Sequence, residues 1–189
     1  KCYLFSKKDK INEIFIKNTS KDITQITSFK TLKKLKFIEY PKKGLLELNK
    51  ILKKISKLSG GILLIDYGYL NSDNSNTIQA IMDNKKISIE TMFDNLGKAD
   101  ITSLVNFNLL KEFLIKNNLR VKKIVSQRFF LERMGIIERA KILEKKMTNK
   151  EKNYMSETLS RLLENKKMGT LFKVIFGYNY KNNDFYGFE

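Results

Sequence analysis

The chain has 189 residues, of which 42% are hydrophobic, enough for one globular domain with a buried core. It carries 37 Lys and Arg against 20 Asp and Glu, a formal charge of +17, with one cysteine and no histidine. Those counts exclude a disulfide framework, His-based acid–base chemistry, His-dependent triads and His-containing zinc sites.

The charge invites a nucleic-acid or acidic-membrane reading. Nearly all of it is lysine, however, and arginine stands only at Arg120, Arg128, Arg133, Arg139 and Arg161. Readers of nucleic acid lean on arginine for bidentate and stacked contacts, so nucleic acid is disfavoured as a partner. No apolar run approaches the ~20 residues of a membrane helix, and no signal-peptide pattern occurs. The expected location is the cytoplasm.

In chain order, Tyr3-Leu4-Phe5 and Ile14-Phe15-Ile16 flank a polar stretch and predict a hairpin. Asn18 to Thr27 is polar and weakly patterned, hence loop or edge strand. Lys36 to Tyr40 reads as extended, and Pro41 suits the first turn of a helix over 42–59. There Leu45, Leu48, Leu52 and Ile55 recur at helical spacing between lysines, and Gly60-Gly61 reads as the stop. Next comes Ile62-Leu63-Leu64-Ile65-Asp66-Tyr67-Gly68, whose unbroken aliphatic run predicts a strand buried on both faces of a parallel sheet.

Asn71 to Asn76 is loop, and Thr77 to Ile81 suits either a strand or a helix start. Residues 84–99 predict a long, partly irregular connection. Asn106 caps a helix presenting Phe107, Leu110, Phe113 and Leu114 and ending at Asn117-Asn118. Val121 to Val125 reads as strand and Ile136 to Lys146 as helix. Thr148-Asn149-Lys150-Glu151 has capping-box spacing for a last helix to about Glu164. Gly169 to Phe176 closes the domain as a strand. The domain is expected over 1–176, with a poorly ordered tail over 177–189.

In α/β sheets ligands gather beyond the carboxyl ends of strands, which places Asp66, Tyr67 and Gly68 where chemistry is expected. Gly68 would allow a turn at positive φ or a close approach to a ligand. The plain alternative is a strand-to-loop turn. Asp100 likewise reads as an acid near a site or as a turn residue, and Thr77 and Gln79 as site residues or hydrogen-bonded structure. No Gly-x-Gly or P-loop spacing occurs, so a glycine-rich nucleotide site cannot be complete on this chain.

Five ordered blocks resemble the C-terminal half of the MidA-like family of class I methyltransferases dependent on S-adenosylmethionine (SAM). They are the run Gly60 to Tyr69; Thr77-Ile78-Gln79-Ala80; Gly97 to Thr102 with Val105-Asn106-Phe107; Phe130-Leu131, Met134-Gly135-Ile136 and Arg139-Ala140; and Met168 to Val174. The family includes the mitochondrial complex I assembly factor that methylates an arginine of a complex I subunit.

The resemblance implies a partial Rossmann-like α/β fold: the C-terminal strands and helices of a mixed seven-stranded sheet. The Ile62–Ile65 strand would be its fifth strand, and the closing strand the antiparallel one beside it. It implies SAM as cofactor, with the glycine-rich cofactor-binding half expected upstream on a separate chain, or a homodimer. It implies a protein substrate of the respiratory complex I subunit type, and a mitochondrial-matrix location if the source is eukaryotic. The acid usual at Lys98, the histidine often found at Leu104 and the aspartate usual at Asn106 are replaced here.

On this resemblance Asp66 and Asp100 are the catalytic acids. Tyr67, Gly68, Thr77, Gln79 and Thr102 shape the substrate side, and no metal is expected. The rival reading is a non-catalytic basic module or degenerate fragment that binds nucleic acid or an acidic partner; a structural assembly subunit of a respiratory complex is a third.

Overall fold

The computed structural model describes residues 1–7, 10–181 and 185–189. In chain order they form β1 (Cys2–Lys7), β2 (Lys10–Phe15), α1 (Ser20–Thr27), α2 (Lys42–Leu58), β3 (Gly61–Tyr69), β4 (Gln79–Met82), β5 (Lys85–Ile87) and α3 (Ile89–Asp94). Then follow β6 (Asp100–Thr102), β7 (Val105–Asn106), α4 (Phe107–Lys116), β8 (Arg120–Val121), β9 (Val125–Ser126) and α5 (Gln127–Arg133). The last elements are α6 (Ile136–Glu144), α7 (Asn149–Leu163), α8 (Met168–Leu171) and β10 (Phe172–Tyr178). They divide into two compact units, Lys1–Tyr40 with Ser72–Leu104, and Pro41–Asn71 with Val105–Glu189.

In the first unit β1 and β2 pair antiparallel from Cys2↔Phe15 to Lys7↔Lys10, the hairpin that the apolar triplets predict. The stretch expected to be loop or edge strand instead contains α1. Its entry is fixed by Thr19, whose hydroxyl accepts from the Asp22 N–H at 3.2 Å and donates to the Asp22 carboxylate at 2.7 Å. Asp22 is buried and also receives Lys1 Nζ at 2.7 Å.

β5, β4 and β6 form an antiparallel sheet in that order. The connection expected to be irregular begins as a two-residue hairpin, with Asp83 and Asn84 both at positive φ (52° and 61°) as a type I′ turn demands.

The second unit is built on a mixed sheet ordered β7-β3-β10-β8, with β9 also on β10. β10 runs antiparallel to β3 through seven pairs, from Phe172↔Tyr67 to Tyr178↔Gly61. β3 runs parallel to β7 only at Gly68↔Val105 and Tyr69↔Asn106. Leu52 of α2, Phe107 and Leu114 of α4, Leu119 and Ile175 make the buried core, with Ile62 and Leu64 of β3 packed against it. One face of β3 is thereby covered, which accounts for the helical spacing of Leu48, Leu52 and Ile55 on α2.

That helix stops one residue before the glycine pair, at Ser59 with φ 54°. Asn106 caps α4 by accepting from Leu109 N–H at 3.0 Å, and Thr148 and Glu151 form the capping box of α7. The expected Val121–Val125 strand is two short pieces, β8 and β9, each laid against β10. β10 starts later than Gly169, after the single turn of α8, and ends at Tyr178. Beyond it the Phe185 ring packs tilted against Phe176 at 4.9 Å, Phe188 stacks on Phe176 at 6.0 Å, and Arg120 lies 4.7 Å over the Tyr178 ring.

β3 itself departs from expectation. It is not buried on both faces of a parallel sheet: its long partner is antiparallel, and Leu63 and Ile65 remain 45% and 42% exposed. An aliphatic run is dry on both faces only where layers cover both, and among the described residues only the Ile62–Leu64 face is packed on the core.

Candidate functional site

Asp66, Tyr67 and Gly68 lie inside β3, not in a turn after it, because the strand continues to Tyr69. Successive side chains of a strand point to opposite faces, so Asp66 and Tyr67 cannot line the same side of one wall. Asp66 shares its face with Lys173, its register partner on β10. It is exposed, and its Oδ1 accepts from the Tyr67 N–H at 2.7 Å. Tyr67 packs its ring on Phe172, centroids 5.7 Å apart.

Gly68 is required for close approach to the protein itself. A Cβ there would stand 2.2 Å from the Val105 carbonyl oxygen and 2.8 Å from the Phe107 ring. Its φ is not in the left-handed region, so the expected positive-φ turn is replaced by a tight strand contact.

The first unit carries the other four candidates. Gln79 pairs with Thr102 and Ile81 with Asp100 across β4 and β6, which sets Gln79, Thr102 and Asp100 on one sheet face. A carboxylate, an amide and a hydroxyl in one row, with Asp100 and Thr102 exposed, can both accept from and donate to a polar group.

Thr77 precedes the strand and is occupied otherwise. Its hydroxyl donates to Glu39 Oε2 at 2.6 Å and accepts from the Leu104 N–H at 2.9 Å, while its own N–H donates to Glu39 Oε1 at 3.0 Å. These bonds tie Glu39, Thr77 and Leu104 together within the first unit.

Two residues escaped the sequence reading. Glu39 is the acid that clamps Thr77; the only signal was a carboxylate inside a short apolar stretch. Lys173 lies within the last of the resembling blocks. Its ammonium donates to the Thr170 carbonyl and, at 3.5 Å, to that of Leu171, and burial lowers its pKa below the ordinary lysine value.

Residues 15–125 match the family described as "Putative S-adenosyl-L-methionine-dependent methyltransferase", and the chain belongs to that family. It is 30% identical over 127 residues to the mitochondrial protein arginine methyltransferase NDUFAF7 homolog of Caenorhabditis elegans, a match covering 67% of this chain and 28% of the relative.

Two solved structures from Burkholderia thailandensis share the fold, both at 15% identity. One, of an uncharacterised protein, has a TM-score of 0.74 over 100% of this chain and 49% of its own. The other, from the same superfamily and bound to S-adenosyl-homocysteine, has a TM-score of 0.67 over 95% and 44%. The chain thus spans less than half the length of each of these proteins.

The α/β methyltransferase fold and the MidA-like resemblance are therefore borne out. SAM is the cofactor of the family, but the described residues do not fit its cradle. No Gly-x-Gly turn follows a strand, and Gly68 is filled by Val105 and Phe107.

Proposed function

We propose that this chain supplies the acceptor side of a SAM-dependent methyltransferase that modifies an arginine of a protein, of the respiratory complex I subunit type. The observation that carries the reading is the family match over residues 15–125, joined by likeness to an arginine methyltransferase. Guanidinium is protonated at any physiological pH and has no lone pair to spare, so an acceptor site needs carboxylates that orient it and favour proton loss.

Asp66 and Asp100 are the acids assigned to that task, and the row of Gln79, Thr102 and Asp100 favours holding a planar donor group. Tyr67, on the opposite face of β3 from Asp66, is left out of that pairing. The chain's share of the reaction is binding, orientation and removal of water from the acceptor.

The cofactor-binding half would come from a separate polypeptide or from elsewhere in a longer one. The edge of β3 from Gly61 to Tyr67 supports this, since it is unpaired among the described residues and carries half-exposed Leu63 and Ile65. No described helix is long and apolar enough to cross a membrane. The proposed location is the cytoplasm, or the mitochondrial matrix in a eukaryote.

The test is mass spectrometry of a complex I subunit after incubation with SAM, this chain and a polypeptide carrying the glycine-rich half. Arginine methylation that falls about a hundredfold in Asp66→Asn or Asp100→Asn supports the assignment. Methyl transfer untouched by either substitution removes these acids from the mechanism, and no transfer at all removes the reading.

A further inference from the structure

The charge of +17 is spread unevenly over the helices. α6 carries Arg139 and Lys141 against Glu138 and Glu144, and α7 carries Lys150, Lys152 and Arg161 against Glu151 and Glu157. α2 instead holds Lys42, Lys43, Lys50, Lys53, Lys54 and Lys57, all exposed, against Glu47 alone. Glu47 is itself matched by Lys50, 2.7 Å away.

Helix geometry puts these lysines on one side. At about 100° per residue the six fall within an arc of about 120°, over about 22 Å of helix axis. Leu45, Leu48, Leu52 and Ile55, which α2 turns inward, lie on the opposite side. The lysine arc is not purely polar. Leu46 stands in its middle and is 51% exposed, and Leu58, about 40° past its edge, is 80% exposed.

These features select the partner. A face carrying one sign of charge fits an anionic surface. α2 has no arginine and no aromatic residue, so it offers neither bidentate base contacts nor rings on which bases stack. A row of nucleic-acid phosphates would also leave Leu46 and Leu58 in water. A bilayer takes both, because lysines reach headgroup phosphates while aliphatic tips enter the headgroup layer. We propose that the lysine face of α2 docks peripherally on a bilayer of anionic phospholipid, with Leu46 and Leu58 set among the headgroups. This inference stands apart from the methyl-transfer reading and involves no membrane-spanning helix.

The probe is a vesicle of phosphatidylcholine with about one third phosphatidylglycerol, set against phosphatidylcholine alone. Co-sedimentation of the full 189-residue chain measures the partition. Binding to the anionic vesicle only is expected, weakened by added salt. A lysine at the surface adds about fivefold, so Lys50→Gln with Lys53→Gln and Lys57→Gln lowers partition about a hundredfold. Lys145→Gln with Lys146→Gln and Lys150→Gln removes the same charge elsewhere and changes it less than about threefold. All these lysines are exposed, so both triple variants fold, and matching thermal melts verify that. The chain has no tryptophan, so Leu58→Trp adds a single reporter whose emission shifts to the blue on the anionic vesicle.

The proposal is overturned if the chain ignores both vesicles or partitions equally onto them. Equal losses in the two triple variants would make net charge, not the α2 face, the cause of binding. Leu58→Trp emission unmoved on vesicles that carry the bound chain removes α2 from the contact. Tighter binding of duplex DNA or polyglutamate at the same salt, lost in the Lys50, Lys53 and Lys57 variant, makes a different polyanion the occupant.

Discussion

β3 and β10 are neighbours with nearly the same apolar content, yet they live in different environments. β10 is paired on both sides, and its Val174 and Ile175 are 0% exposed. β3 is paired along its length on one side only, and of its aliphatic residues only Ile62 and Leu64 reach the core. Hydrophobic residues report that a strand wants burial, whereas neighbours decide how much it receives. The unequal pair also locates the unsatisfied part of the second unit at the β3 edge.

The largest expected effect comes from treating the two strands alike. Ile175→Ala empties space at the centre of the core and should cost about 2–5 kcal/mol by urea denaturation. Ile65→Ala removes a half-exposed side chain and leaves no closed cavity, so about 1 kcal/mol or less is expected. Equal losses would break the comparison and mean that the β3 outer face is covered.

The next effect tests the one place where β3 gains a second neighbour. Gly68→Ala drives a methyl into the Val105 carbonyl and the Phe107 ring, an overpacking cost of about 1–3 kcal/mol. A neutral Gly68→Ala would show that β7 and α4 can retreat, and the tight contact would lose its meaning.

Much of this contrast was readable in advance where local chemistry acts alone. Asn106 and Thr148 are caps because their side chains bond backbone N–H groups three residues on, and that spacing is visible in the sequence. The hairpin of β1 and β2 and the amphipathic α2 follow from periodicity in the same way. What could not be read was set by partners distant in the chain. Leu63 and Leu64 are identical letters, and only the register with β10 and the packing of α2 and α4 separates them.

The candidate site divides on the same line. Asp66 could be named from its place after an apolar run, and Asp100 only through the resemblance carried by the Gly97 to Thr102 block. That Thr77 is consumed by Glu39, 38 residues earlier, needed the fold. α1 differs again, because its cap, Thr19 accepting from the Asp22 N–H, is local chemistry set in an otherwise polar stretch.

A third experiment addresses the free edge directly. Leu63→Lys with Ile65→Lys places charge on an unpaired strand, the device by which natural edges avoid association. Thermal stability should change by about 1 kcal/mol or less, while concentration-dependent sedimentation of the chain should shift towards monomer. A cooperative loss of structure instead would place these side chains in the interior and return β3 to the status of β10.

The smallest effect lies where the two strands meet in a polar pair, Asp66 opposite Lys173. Burial lowers the Lys173 pKa from the ordinary 10.5, so the folded chain releases that proton at lower pH than the unfolded chain does. Between those two values the unfolded state binds more protons, and stability must therefore rise with pH through that alkaline window. Below it the penalty of holding a charged, partly buried ammonium is fully present. Lys173→Met removes the titration along with the bonds to the Thr170 and Leu171 carbonyls, which the charged ammonium donates more strongly than the neutral amine and which therefore belong to the same titration. The difference in slope between wild type and variant isolates the lysine. A slope unchanged by Lys173→Met would mean that solvent reaches the ammonium as freely as it reaches Leu63 and Ile65.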